Sequence, residues 1–268
     1  MVSLAHLVAI GCYAAAALFA AAPFVRPVGP PVRTVVALLG VGVATHLAAL
    51  VGLASASGQL PLFGLGPALT SAAFLLALTL LCVEALAREV TLTLLAAPFA
   101  ALLAVLALAA GLASSAEPSG ARGVWLVAHV ALSFAGIAAF ATAAAAGAMY
   151  LVQRRELKSR RFGSVFRLFP PLATLDRVNH VATLVAWLGL TGGVVLATSY
   201  AIVYHRADAP KVVWAISAWL SVTAVTFGRV LAGWQARRAA LLTSVSFAAV
   251  LVLYVVMRAI GAAPGRFL

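Results

Sequence analysis

Charged residues are scarce in this chain. Only 9% of the 268 residues are charged and six of them are acidic, whereas a soluble domain averages about 25% charged residues. No two carboxylates are spaced for general acid–base work, and there is no nucleophile elbow, P-loop or dinucleotide-binding fingerprint. The sequence therefore excludes the enzyme classes that depend on these motifs, and we do not expect the protein to be an enzyme.

Cysteine is also rare. The two cysteines, Cys12 and Cys82, lie inside separate apolar runs. Because they form no CxxC pair, the chain has neither a dithiol redox motif nor a zinc knuckle.

Apolar residues dominate instead and make up 65% of the chain. They form runs of about 20 residues, the length of a membrane-spanning helix, and not the short alternating segments of a β-barrel. The first run is too long for a cleaved signal peptide and lacks a basic start, so we count it as a span. The sequence predicts an all-α, polytopic helix bundle in the lipid bilayer, with one membrane domain over residues 1–268. The eight predicted spans are 3–24, 34–54, 67–87, 91–112, 124–152, 179–203, 212–231 and 239–260.

The positive charge lies between these spans. A net charge of +12 is found in some nucleic-acid-binding proteins, but short basic loops are explained by the positive-inside rule, so we exclude nucleic acid as a partner. With both termini outside, 13 of the 18 Lys and Arg residues face the cytoplasm. This distribution predicts that orientation in a bacterial inner membrane, with a basic cytoplasmic loop over residues 153–178.

The basic loop has an internal pattern. Apolar residues recur at helical spacing from Phe162 to Phe169, with arginines among them. This pattern suits a short helix on the membrane surface, and the alternative is a plain basic loop.

Histidine supplies most of the remaining candidate chemistry. His46 lies near the middle of the second span, where a polar ring is costly unless it is bonded. It could ligate haem iron as a neutral imidazole, or it could bond to a neighbouring helix. His129 begins the fifth span at the outer surface and His180 begins the sixth on the cytoplasmic side. We expect His6 and His205 to be ordinary interfacial residues.

The predicted depths restrict how these histidines could pair. His129 and His180 would lie about a membrane thickness apart, because a helix rises about 1.5 Å per residue. They cannot bind one iron together. His46 is therefore the expected partner of one of them, or there are two sites.

Three segments resemble a known family. WLVAHVALSFAGIAAF (125–140) is similar to an HxxLSYxxF-type segment, FPPLATLDRVNH (169–180) to an LPPL-x-LD-R-type segment, and GWQARRAALLTSVSFAAVLVLYVVMR (233–258) to a GWxGRR-type ending. The family that they resemble is the cytochrome c assembly family (CcsA/ResC type). The similarity covers most of residues 120–260, and the chain most resembles the HemX-like branch of short, eight-span proteins.

The resemblance implies haem as a cofactor, in the form of haem b, held by paired histidines. His129 corresponds to the family's outer histidine, His46 to its early intramembrane histidine, and His180 to a histidine of the HemX-like branch. We take His46 and His180 as the preferred axial pair and His129 as an outer-face ligand. The implied partners are haem itself and proteins of cytochrome c assembly or haem synthesis.

The chain also departs from the family pattern. The tryptophan-rich, WWD-type external loop is replaced by YHRADAPKVVWAISAWL (204–220). The family's HxR before the GW is Phe227-Gly228-Arg229 here, and the ending GAAPGRFL carries no histidine. The sequence thus favours a haem-handling or accessory protein of cytochrome c or haem biogenesis that does not perform ligation. The alternative is a scaffold without haem that regulates haem synthesis through the basic loop.

The predicted orientation can be tested by labelling. In a variant without the two native cysteines, a single cysteine at Ser119 should react with an impermeant thiol reagent added outside. A cysteine at Ser159 should react only when the cytoplasmic side is opened. The reverse pattern would show that the termini face the cytoplasm.

Overall fold

A computed structural model of the chain describes residues 2–25, 31–62, 64–87, 91–113, 121–160, 169–204 and 209–260. These residues form eight α-helices and no strand, which confirms the all-α prediction. Each helix has a segment long and apolar enough to cross a membrane, so the chain is a multi-pass membrane protein. The helices are α1 (Val2–Val25), α2 (Val32–Ser57), α3 (Leu65–Ala87), α4 (Thr91–Ala110), α5 (Ala121–Lys158), α6 (Leu172–Tyr204), α7 (Ala209–Val230) and α8 (Ala236–Ile260).

Two of the helices, α5 and α6, extend at least six residues beyond one end of their predicted spans. Helix α5 has 38 residues and continues through QRRELK to Lys158, because Gln, Arg, Glu, Leu and Lys all favour the helix. Helix α6 begins at Leu172, directly after Pro170 and Pro171, and has 33 residues. Proline is common at helix starts, where its missing N–H costs nothing. Much of the segment predicted as a basic loop is therefore helical, while the proposed surface helix falls largely on residues 161–168, outside the described residues.

The helices form two compact units. The first consists of Met1–Ala116 and Met149–Val178. Within it, α1 packs against α2 and α4, and α3 packs against α4. A fully buried carboxylate joins α3 to α4: the Glu84 Oε1 atom accepts bonds from the Thr93 amide, at 2.7 Å, and from the Thr93 hydroxyl, at 3.1 Å.

The second unit consists of Glu117–Ala148 and Asn179–Leu268. Helices α5 and α6 cross here with their backbones in close approach at Gly136 and Gly189. A Cβ atom on Gly136 would lie 2.8 Å from the Leu190 amide nitrogen, so only glycine permits this crossing. Beside it is an apolar core in which the Phe140 and Phe247 rings meet edge to face with centroids 5.2 Å apart.

Many large apolar side chains point outward from the helices. Leu18, Leu188 and Val252 are 73%, 63% and 61% exposed. Such a surface is costly in water, and it suits contact with lipid tails. The outward faces thus agree with the membrane assignment made from helix length.

Candidate functional site

Small and polar side chains line the buried face of α1. Ala9, Ala16 and Ala20 are buried together with His6 and Tyr13. The spacing of three or four residues places all five on one face of the helix. His6 and Tyr13 therefore project two turns apart into the first unit.

These two side chains meet α2 and α3 in a polar group that we name the inner histidine cluster, consisting of His6, Tyr13, His46 and Thr70. The four residues are each 0% exposed. The Thr70 hydroxyl lies 2.8 Å from His6 Nε2 and 2.7 Å from His46 Nε2. The Tyr13 hydroxyl lies 3.1 Å from His46 Nδ1, and His6 Nδ1 lies 3.0 Å from the Val2 carbonyl oxygen.

Neutral side chains can satisfy these contacts with only one arrangement of protons. The Val2 carbonyl can only accept, so His6 carries its proton on Nδ1 and accepts at Nε2 from the Thr70 hydroxyl. Thr70 has then used its only proton, so His46 must donate to it from Nε2. His46 Nδ1 is left as an acceptor for the Tyr13 hydroxyl. The donor order in the inner histidine cluster thus runs one way, from the Tyr13 hydroxyl to the Val2 carbonyl near the start of α1.

The rings fit closely around His46. The His6 and His46 ring centroids lie 5.3 Å apart, and Phe74 meets His46 edge to face at 5.8 Å. On α2, a Cβ atom on Gly42 would lie 2.6 Å from Tyr13 Cε1. A glycine at this position thus makes room for the tyrosine ring that holds His46.

The structure shows the surroundings of two histidines that the sequence analysis had assigned, His46 and His6. His46 is bonded to neighbouring helices, as one of the two sequence interpretations had it, and both of its ring nitrogens are engaged. His6 is fully buried, so its interfacial assignment was wrong. The periodic small residues that flank His6 on α1 were the signal that could have identified it.

His129 lies in the second unit and is bound differently. Its Nδ1 atom donates to the Gly193 carbonyl on α6 at 2.8 Å. The other nitrogen, Nε2, has no hydrogen-bond partner among the described residues and carries the lone pair in this tautomer. A hydrogen bond from one ring nitrogen to a carbonyl, with the other nitrogen available, is the usual arrangement of a metal-ligating histidine.

Aromatic side chains surround the same end of α5. Trp125, one turn from His129, donates from Nε1 to the Leu196 carbonyl at 3.0 Å. Its ring meets Tyr200 and Tyr204 edge to face, with centroids 6.3 and 6.2 Å apart. The aromatic group and the His129–Gly193 bond hold α5 and α6 together at this end.

His180 is near the start of α6 within the second unit and is partly buried. Its Nδ1 atom is buried without a hydrogen-bond partner in the described residues. An orphaned imidazole nitrogen is uncommon in a folded protein and points to a ligand or an ordered water. Of the three histidines predicted to bind haem, His46 thus belongs to the first unit, and His129 and His180 to the second.

A polar network ties three helices of the second unit together next to His180. Asn179 is fully buried and donates from Nδ2 to the Ala143 carbonyl on α5 at 2.7 Å. Its Oδ1 atom accepts from the Arg229 guanidinium on α7 at 2.8 Å. Asn179 therefore fixes the position of the turn of α6 that carries His180.

The match to a known family covers most of the chain. The family model described as "Cytochrome C assembly protein" matches residues 65–263. The chain belongs to this family. Its role accordingly lies in the biogenesis of cytochrome c or haem, as the sequence resemblance implied. No curated protein and no solved structure matches the chain.

The family match includes some of the candidate histidines and leaves others outside it. His129 and His180 fall inside the matched residues, whereas His6, Tyr13 and His46 all precede residue 65. Among the described residues, no group of three or more His, Cys, Asp or Glu side chains could hold a bare metal ion.

The structure explains the family's GW segment. The Trp234 amide donates to the Gly228 carbonyl at 3.0 Å, and a Cβ atom on Gly228 would lie 2.4 Å from the Trp234 ring. The Arg238 guanidinium stacks over that ring, 4.2 Å from its centroid. Phe227, where the sequence resemblance expects a histidine of the family, meets Trp187 edge to face at 5.5 Å.

Removing the hydroxyl of Tyr13 should destabilise the first unit. Tyr13→Phe leaves His46 Nδ1 buried without its donor, and we expect a loss of about 1 kcal/mol in the free energy of unfolding. Tyr254→Phe is the matched control, because Tyr254 is 47% exposed. Unfolding by a denaturing detergent, followed by the loss of helical circular dichroism, gives both values. Equal stabilities of the two variants would contradict the hydrogen bond.

Proposed function

We propose that this protein handles haem as an accessory component of cytochrome c or haem biogenesis in the bacterial inner membrane, as a HemX-like member of its family. It does not join haem to apocytochrome. The observation that carries the proposal is the state of His129. This partly exposed histidine is fixed by Gly193 and keeps its Nε2 lone pair available.

The donor chemistry at His129 fits haem. A neutral imidazole ligates haem iron without adding charge in a low-dielectric site. The bond to Gly193 fixes the tautomer and the ring orientation, which raises the basicity of the other nitrogen. When bound, haem would supply the iron, and His129 would hold it through Nε2.

The sequence favoured His46 and His180 as the axial ligands of haem. The contacts of the two histidines support this role unequally. His180 has an unpartnered buried Nδ1 atom, which suits ligation. His46 would first have to give up its bond to Tyr13 or to Thr70. Breaking a buried bond leaves its former partner unsatisfied, at a cost of about 1–3 kcal/mol. We therefore rank His129 first, His180 second and His46 third.

The absence of a ligation platform supports an accessory role. Only four residues connect α6, which ends at Tyr204, to α7, which begins at Ala209. The tryptophans that follow serve the packing of the second unit: Trp214 donates to the Val250 carbonyl at 3.1 Å, and Trp219 to the Thr191 hydroxyl at 2.9 Å. These indoles are thus engaged between helices, and the short connection leaves no length for a tryptophan-rich loop.

A scaffold or regulator without haem is the second candidate. Its support is the C-terminal end of α5, where Arg154, Arg155, Lys158 and Arg160 are all exposed. A projecting basic helix end suits an acidic surface on a partner enzyme of haem synthesis. The two candidates differ in whether the purified protein carries haem.

A visible spectrum decides between them. Protein purified from haem-replete membranes should show a Soret band, and His129→Ala should abolish or shift it. His180→Ala and His46→Ala test the other two ligands in the same way, with His205→Ala as the matched control that should leave the band unchanged. A wild-type protein without a Soret band would favour the scaffold.

The accessory role predicts a negative result in a maturation assay. The protein is expressed with a reporter apocytochrome in a host without its own assembly system. Haem staining after denaturing electrophoresis should show no covalent haem on the reporter, and staining should return when a partner with the WWD-type loop is added. Staining with this protein alone would make it a minimal ligation enzyme.

A further inference from the structure

We infer that α6 and α7 hold ordered water between them, at a site inside the membrane. The site is formed by two stripes of polar side chains, which together we name the polar seam. Its members are Asn179, His180, Thr183, Trp187 and Thr191 on α6 and Trp219, Thr223, Thr226 and Arg229 on α7. Water binding in the polar seam does not require haem.

The stripe on α6 follows one face of the helix. Its members recur every four residues from Asn179 to Thr191, which keeps them within about 120° of the helix circumference at about 3.6 residues per turn. His180 falls in the same sector, because it lies seven residues, or nearly two full turns, before Trp187. Trp187 itself lies near the middle of α6, which extends from Leu172 to Tyr204. The seam therefore reaches the interior of the membrane.

Hydrogen bonds join the two stripes at both ends. At one end, the Arg229 guanidinium donates to Asn179 Oδ1 at 2.8 Å. At the other end, Trp219 Nε1 donates to the Thr191 hydroxyl at 2.9 Å. The stripes thus face one another, and the part of the seam between these two bonds is enclosed by the two helices.

Four buried polar atoms between these two bonds have no hydrogen-bond partner among the described residues. They are His180 Nδ1, Trp187 Nε1, Thr223 Oγ1 and Thr226 Oγ1. Thr226 is only 4% exposed. The Trp187 ring meets Phe227, so it packs against the helix that carries both threonines. Unpartnered atoms of this kind point to a ligand or an ordered water.

The two threonines differ from other buried threonines of the second unit. The hydroxyls of Thr142, Thr183 and Thr243 each donate to the carbonyl four residues earlier on their own helix, which is a common partner for a helical hydroxyl. Thr223 and Thr226 make no such bond in the structure. Their hydroxyls are therefore available to a partner in the polar seam.

Water is the occupant that suits these atoms. An indole N–H can only donate, whereas a hydroxyl can both donate and accept. The occupant must therefore accept from Trp187 and can form bonds of either kind with the threonines. Buried water does this for groups that lack a protein partner, with about three hydrogen bonds per molecule, and it adds no charge to the membrane interior, where charge is costly. Water beside His180 would also give its Nδ1 atom a partner that an incoming ligand can displace.

Magnetisation transfer from water to Trp187 provides the test. The protein is labelled with ¹⁵N-tryptophan and reconstituted in lipid vesicles, and solid-state NMR detects which indole N–H groups receive magnetisation from water. The signals of the five tryptophans are assigned with single Trp→Phe variants. In the wild type, we expect transfer to the Trp187 indole. A Trp187 signal that is present but receives no magnetisation from water would show a dry seam and overturn the inference.

The threonine hydroxyls are tested in a double variant. Thr223→Val together with Thr226→Val removes both hydroxyls but keeps the branched shape of the side chains, and transfer to Trp187 should be lost. Thr223→Ser with Thr226→Ser keeps the hydroxyls and should keep the transfer. Thr243→Val is the matched control, because Thr243 is fully buried and its hydroxyl bonds within its own helix. Transfer to Trp187 should be unchanged in this control.

Two results in the valine variant would contradict the site. Transfer that persists, with the helical circular dichroism intact, would mean that water reaches Trp187 without the threonines. A dry seam predicts a gain in stability, because replacing a buried hydroxyl that has no partner with a methyl group removes its desolvation penalty. Unfolding at a higher detergent concentration than the wild type would therefore also overturn the inference. If the double variant folds poorly, each single valine variant makes the same comparison.

Discussion

A polar group inside a membrane must find its hydrogen-bond partner within the protein, because lipid tails offer none. The buried polar side chains of this chain largely obey that constraint, and their partners determine which helices meet. Glu84 joins α3 to α4, Asn179 joins α5, α6 and α7, and the inner histidine cluster joins α1, α2 and α3. A few buried polar atoms have no such partner among the described residues, and the Nδ1 atom of His180 is one of them. Because such an atom needs a partner, it points to a ligand or an ordered water.

The number of helices and their approximate positions along the chain could be predicted because one dominant force sets them. Transferring about 20 apolar residues into lipid fixes where a span lies, and hydropathy along the chain records this directly. The ends of the helices were less predictable. Residues after Val152 are polar, which ends the hydrophobic signal, but they favour the helix, so α5 continues to Lys158. Hydropathy reports burial in lipid, whereas helix formation depends on the backbone and on side-chain propensity.

The contacts of the histidines could not be obtained from depth alone. Position along a span places His6 near a surface and His46 near the middle, but α1 and α2 run in opposite directions and each histidine faces inward. Whether two such rings meet depends on the rotation of each helix and on a third residue, Thr70, which no histidine pattern contains. The family resemblance singled out His129, and in the structure its Nδ1 atom lies 2.8 Å from the Gly193 carbonyl oxygen, but haem binding stays a prediction.

The common direction of the donors in the inner histidine cluster has an electrical consequence. The four bonds share one donor order, which ends at the Val2 carbonyl near the start of α1, and the start of a helix is also the positive end of its dipole. Because a carbonyl cannot donate, this order cannot be reversed while these contacts are kept. A membrane voltage does work on any charge displaced along its field, about 2.3 kcal/mol per charge for each 100 mV across the full thickness, but it has no second proton order to favour here, so the polarity of the cluster stays fixed as the voltage changes.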